Sequence, residues 1–167
     1  MLDPIALHEA YRRGDLEALK AGLGDPPDFP NSANPPGFSD TCLEYAIYHS
    51  PLAFVRTLLE LGADPNYDDG AGFPSLIAAL SSARSDRCQL VELLLASGAD
   101  VQRRGVNDYT PLHYAAAGDD VDAIALLLAR GADPNARTRI DHCATPLEEA
   151  EILGRPAAVR RLREPAD

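Results

Sequence analysis

Thr110-Pro111-Leu112-His113-Tyr114-Ala115-Ala116, then Ile124-Ala125-Leu126-Leu127-Leu128, then Gly131-Ala132-Asp133-Pro134-Asn135 is the stretch that decides the fold of this 167-residue chain. Thr110 stands where a hydroxyl can cap a helix, and Pro111 suits the first turn, where a missing N–H removes no hydrogen bond. Ala115 and Ala116 keep that helix slim enough to pack closely against a neighbour. Ile124, Leu126, Leu127 and Leu128 give a second helix its apolar face. Gly131 offers the left-handed residue that ends it, so the chain can turn and start again.

The same pattern extends in both directions. Leu112 is matched by Leu7, Leu43, Leu76 and Leu147, at successive spacings of 36, 33, 36 and 35 residues. A second apolar anchor follows most of them twelve residues later, at Leu19, Val55, Ile124 and Val159. Gly-Ala-Asp-Pro-Asn recurs at Gly62 to Asn66, and Gly98 stands at the matching place in the middle of the chain. A period in this range signals a stacked solenoid. With Thr-Pro-Leu-His-Tyr-Ala at 110–115, the unit resembles the ankyrin repeat, and the resemblance covers nearly the whole chain. It implies an all-α solenoid of helix-turn-helix units with loop or β-hairpin fingers. The expected organisation is a single domain, 1–167, with units near 1–36, 37–69, 70–104, 105–139 and 140–167.

The units differ mostly at the ends and in the third. Unit one, Ile5 to about Gly24, lacks Thr-Pro and reads as an N-terminal cap, and unit two has Cys42 in place of the proline. Unit three has Pro74-Ser75, and its anchors Leu76 and Val91 are fifteen apart, so about three residues are inserted around Ser81 to Arg87. That insertion is expected to bring Arg84 and Arg87 to the rim. Unit five keeps Thr145-Pro146-Leu147 but has Glu151 where a small residue belongs, and it ends in Arg160, Arg161, Arg163 and Glu164. A polar last helix suits a C-terminal cap. The segment 26–40, with Pro26, Pro27, Pro30, Pro35 and Pro36, is too rich in proline for a helix. It is either an elaborated binding finger or, the favoured reading, a spacer packed on its own repeats.

Composition narrows the function. There are 26 acidic against 15 basic residues, a net charge of −11, and eight of the excess negative charges precede Ser75. Phosphate is repelled by such a chain, which argues against nucleic acid, whereas a basic protein surface is attracted. The same excess also serves solubility. No apolar run approaches the ~20 residues of a membrane span, and no basic stretch followed by an apolar core marks a secretory signal at the N-terminus. A cytoplasmic location is expected. Cys42, Cys88 and Cys143 are scattered, one to a unit, which suggests neither disulfides nor zinc. One Lys against fourteen Arg, with abundant Ala, Leu and Pro, resembles the usage of a GC-rich bacterial genome.

Candidate chemistry is sparse. His113, and His8 at the matching place, are implied by the resemblance to make structural hydrogen bonds to a neighbouring loop. Asp141-His142-Cys143 is contiguous, and adjacent side chains do not converge as a triad requires. Asp64-Pro65-Asn66-Tyr67-Asp68-Asp69 has the spacing of a calcium loop, but the sixth position is Asp69 rather than glycine and the twelfth is Ser75 rather than glutamate. The short nucleophile-elbow, phosphate-loop and zinc-protease signatures are absent. The expectation is no catalytic residue, no metal and no cofactor.

What remains is a surface. In the resembled family, partners bind the concave face formed by first helices and fingers. Carried over by register, that face comprises Phe38, Asp40, Tyr48 and His49 in unit two, and Phe73 and Ser81 in unit three. Unit four adds Val106, Asn107, Tyr109 and Ala117, and unit five adds Asp141 and His142. Phe73 and Tyr109 hold the same finger position and are expected side by side, as aromatic anchors. Tyr45 and Tyr114, matched to each other, read as core. The resemblance thus implies a non-catalytic protein-binding module, a monomer that acts as a bacterial regulator or an immunity-type inhibitor. A secreted effector acting on a host protein and a structural subunit of a homo-oligomer are the alternatives.

Overall fold

The computed structural model describes residues 3–38, 41–66, 73–105, 108–140 and 142–164. Ten helices lie within them, in five successive pairs. The pairs are α1 (Pro4–Arg13) with α2 (Leu16–Leu23), α3 (Cys42–His49) with α4 (Leu52–Glu60), and α5 (Ser75–Ser81) with α6 (Arg87–Ala96). They continue as α7 (Pro111–Ala117) with α8 (Val121–Ala129) and α9 (Pro146–Ile152) with α10 (Pro156–Arg163). First helices pack on first helices in the order α1, α3, α5, α7, α9, while α6, α8 and α10 form a second row. Among the described residues there are no strands, only an isolated antiparallel bridge between Ala33 and Thr41. Nor is any helix long and apolar enough to cross a membrane.

Helix starts follow the capping chemistry of the sequence. Asp3, Asp15, Thr41 and Asp120 accept backbone N–H groups at the starts of α1, α2, α3 and α8. Thr145 and Glu148 form a reciprocal capping box on α9, at 3.2 and 2.8 Å. Arg155 cannot cap α10, and Asp119 does so from the preceding unit, accepting from the Ala158 N–H at 2.7 Å. The leucine anchors Leu7, Leu43, Leu76 and Leu112 are buried in one continuous core with Leu19, Val55, Val91 and Ile124. In the last unit Leu147 and Val159 are only half-buried, since no described helix stacks beyond them. Truncating a fully buried Leu or Ile in such a core to Ala costs about 2–5 kcal/mol.

The repeated loop motif has two separable tasks. Asp64, Asp100 and Asp133 each accept the N–H of the second residue on, closing a local turn at 2.8–2.9 Å. The next polar side chain reaches across to the following unit. Asn66 donates to Gly98 O and accepts from Asp100 N, both at 2.8 Å, and Gln102 donates to Gly131 O at 3.2 Å. Asn31 makes the same pair of bonds, to Gly62 O at 2.9 Å and from Asp64 N at 2.8 Å. The proline-rich segment therefore contains a regular repeat contact. It packs on its own repeats: Pro30 and Ser32 are buried, and Asn34 bridges the buried Tyr11 hydroxyl and Thr41 O, at 2.7 and 2.9 Å.

Two expectations about cations need correction. Arg84 does not project from the rim. Its guanidinium folds back to donate to Ile47 O and Ser50 O at the end of α3, at 3.1 and 2.6 Å, and forks onto Asp86 at 2.7 Å. Arg87 pairs with Asp120 at 2.6 Å and donates to Ser82 O. The inserted connection between α5 and α6 is longer than its neighbours, and these two arginines fasten it to the units on either side.

Candidate protein-binding face

Because the first helices stand in a row, residues at equal distances from the leucine anchors line up across the units. The second residue after each anchor is Glu9, Tyr45, Ala78, Tyr114 and Glu149. The fifth is Arg12, Tyr48, Ser81, Ala117 and Ile152. On this face Tyr48 is 39% and Ile152 53% exposed, and Phe73, just before α5, is 41% exposed.

The N-terminal half of the face is a cluster of rings centred on Tyr45. Its ring lies 4.6 Å from Tyr11, 4.9 Å from Phe38 and 4.3 Å from His49, centroid to centroid. His8 Nδ1 shares a hydrogen bond with the Tyr45 hydroxyl at 2.8 Å, and its ring is 5.3 Å from that of His49. So His8 bonds a side chain on the neighbouring helix, not the neighbouring loop, because α1 has no Thr-Pro start to hold the ring inward. Burial, and then the charge of His8, pushes the His49 imidazole below its ordinary range.

The C-terminal half is built on His113. Its Nε2 is 3.0 Å from Ala144 O, which can only accept, so the proton sits on Nε2 and the ring is neutral. Nδ1 then accepts the Thr110 hydroxyl at 2.8 Å and the Thr110 N–H at 3.3 Å. Burial lowers the pKa of this ring, consistent with a role as a neutral bridge. Tyr109 stacks on His113 at 5.4 Å and meets Tyr114 edge-on at 5.5 Å, and its hydroxyl donates to Glu149 of the next unit. At the base of this finger Asp108, in the left-handed region at φ 58°, accepts the Arg139 guanidinium and N–H and pairs with Arg104. These bonds, Arg139 foremost, hold its carboxyl at about 2.

The residues expected on this face are thus distributed. Tyr48, His49, Phe73, Ser81 and His142 are exposed; Phe38 and Tyr109 are half-buried, each against a tyrosine of a first helix. Tyr45 is buried, as read from the sequence, whereas Tyr114 is half-buried and shows an edge on the face. Asp40, Asn107 and Asp141, with Val106 and the calcium-like segment at 67–72, lie outside the described residues. His8, Tyr114 and Glu149 also belong to this face. Equal spacing from the anchors marks Tyr114 and Glu149, but nothing local marks the partnership of His8 with Tyr45.

Comparison with known proteins agrees with this geometry. A family profile described as "Ankyrin repeats (3 copies)" matches residues 76–167. The chain is 30% identical over 156 residues to the mitochondrial disaggregase of Bos taurus, a match covering 89% of this chain and 22% of that protein. It is 34% identical over 125 residues to the transient receptor potential channel pyrexia of Drosophila melanogaster, covering 75% and 12%. It is 34% identical over 97 residues to alpha-latrocrustotoxin-Lt1a of Latrodectus tredecimguttatus, covering 58% and 7%. The chain spans less than a quarter of the length of these curated relatives.

Proposed function

Because the chain belongs to the ankyrin-repeat family, we propose that it is a non-catalytic module that binds a partner protein through the face of its first helices and the adjoining fingers. The observation that carries the reading is the row of rings on that face. Tyr48 and Phe73 are exposed on it, and aromatics at an interface contribute heavily to its energy. The five helix pairs are taken as the five units, 1–36 to 140–167, of a single domain. The chain acts as a monomer in the cytoplasm, without nucleic acid or membrane, as a regulator of its partner or as an inhibitor that covers a partner's working surface. The acidic balance of the chain, −11, supports a partner with a basic surface.

The test is affinity capture by the wild-type chain beside a Tyr48→Ala/Phe73→Ala double variant. Both side chains are exposed, so folding should persist while binding weakens by at least ~2 kcal/mol, roughly thirtyfold. A captured protein held equally by both chains refutes the assignment of the face.

A further inference from the structure

We propose that His8 and His49 form a two-histidine site for a tetrahedral divalent transition-metal ion, with Zn²⁺ as the type. The proposal goes beyond the partner-binding reading and does not rest on it, because two rings and water suffice for the ion. His8 follows the anchor leucine of α1 and His49 ends α3, and these two helices pack on each other. Their ring centroids are 5.3 Å apart, with the ring planes at 71°. His49 is exposed and His8 half-buried, so both are reachable from solvent.

Three observations support a metal. The first is the separation. A zinc–imidazole bond of about 2.0–2.1 Å puts each ring centroid ~3.2 Å from the ion, so two rings at a tetrahedral angle have centroids ~5.2 Å apart. Neighbouring ligands of a square-planar ion would need ~4.5 Å, which disfavours Cu²⁺. The second is the supply of nitrogens. His113, at the matching place in unit four, engages both of its own, on Ala144 O and on Thr110. His8 commits only Nδ1, to the Tyr45 hydroxyl at 2.8 Å. Among the described residues neither its Nε2 nor either nitrogen of His49 has a hydrogen-bond partner. The third is Tyr45 itself. By accepting the Nδ1 proton its oxygen fixes the tautomer that leaves the lone pair on Nε2, as outer partners of metal-bound histidines do. The exposed His49 ring can turn about its side-chain torsions to bring a nitrogen to the same ion. Among the described residues no third imidazole, thiol or carboxylate joins the pair, so water completes the coordination. Arg12 and Arg13, on the helix of His8, are paired with Glu9, and the net charge of −11 draws cations to the chain.

The experiment titrates ZnCl2 into the full chain, free of any affinity tag, and follows the histidine ring resonances by NMR with calorimetry alongside. The background is Cys88→Ser/Cys143→Ser, which removes the two exposed thiols as competing ligands. The expected result is saturable one-to-one binding in which the rings of His8 and His49 respond together while those of His113 and His142 do not. His49→Ala, at an exposed position, should weaken binding by at least about tenfold, and Tyr45→Phe, which keeps the ring and removes the outer oxygen, by about tenfold. No saturable response, a response of one of the two rings alone, or binding unchanged by His49→Ala overturns the proposal. Each of these results leaves the partner-binding face standing, since Tyr48 and Phe73 are tested by capture with a chelator present.

Discussion

Replacement of Arg84 by Ala separates two roles for the same side chain, rim cation and internal fastener. The side chain is 14% exposed and its guanidinium serves the carbonyls of Ile47 and Ser50, 37 and 34 residues away in sequence, together with Asp86. Its loss removes donors from two carbonyls at the end of α3, beside a Ser50 that is itself only 3% exposed. Hydrogen bonds to a charged donor contribute about 1.5–3 kcal/mol each, and water entering the vacated space restores part, so a net loss of about 2–3 kcal/mol is expected. The Asp86 pair adds little, since that carboxylate is 32% exposed and Arg84 is its neighbour in sequence. At ~2–4 °C per kcal/mol for a domain of this size, Tm should fall by about 4–12 °C. Thermal and urea unfolding followed by circular dichroism would measure it. Arg84→Lys should recover part of the loss, because one ammonium can reach a carbonyl but cannot fork onto both partners. An Arg84→Ala chain that melts within ~1 °C of the wild type would refute the fastener. If it melted normally but lost the response to a partner, Arg84 would belong to the binding face after all.

Four further outcomes are expected. The folded His113 imidazole titrates below its unfolded value of 6.5, so its contribution is full above that pH and is lost as pH falls; His113→Gln should flatten the stability profile between pH 7 and 5 in urea melts at stepped pH. Asp108 is depressed to about 2 from 3.8, so its contribution is present above pH 4 and lost on approach to pH 2; Asp108→Asn, which tolerates the left-handed backbone, should flatten that acid limb. Tyr109→Phe leaves the 7%-exposed Glu149 without its phenol donor and should cost about 1.5–3 kcal/mol by chemical denaturation. Deletion of 144–167 removes α9 and α10 and uncovers Leu112 and Leu127, so light scattering should report aggregation; a monomer with unchanged melting contradicts the capping role of the last unit.

The repeat was legible because its signals are local and recur. Thr-Pro starts, alanines in the first helix and a glycine after the second are each read within one unit, and the left-handed Gly62, Gly98 and Gly131 stand where the pattern puts them, at φ 85–97°. Contacts between units were less legible. Gly24 and Asn31 are seven residues apart where Gly62 and Asn66 are four apart, which hid the equivalence of their loop bonds. The capping of α10 by Asp119 and the reach of Arg84 to α3 join residues more than thirty apart, with no spacing rule to announce them. The length of the α5–α6 insertion was readable, but the direction of its arginines depended on carbonyls that only the stacked neighbour supplies.

The division between legible and illegible residues also locates the face. Within each first helix the alanine three residues after the anchor leucine (Ala10, Ala46, Ala79, Ala115 and Ala150) is taken up by packing, and in unit four the residue after the anchor, His113, is taken up by the next loop. The fifth position stays open, and there the five units carry Arg, Tyr, Ser, Ala and Ile, whereas at the second Tyr45, Ala78 and Glu149 are buried. Side chains that differ where their neighbours in the unit are constrained answer to something other than the fold. Tyr109 satisfies both demands, because its ring faces the row while its hydroxyl ties α7 to α9 through Glu149. A Tyr109→Ala defect in binding would therefore confound recognition with stability. Tyr48 and Phe73 carry no such tie in the described contacts, which makes them the residues through which the binding face can be tested alone.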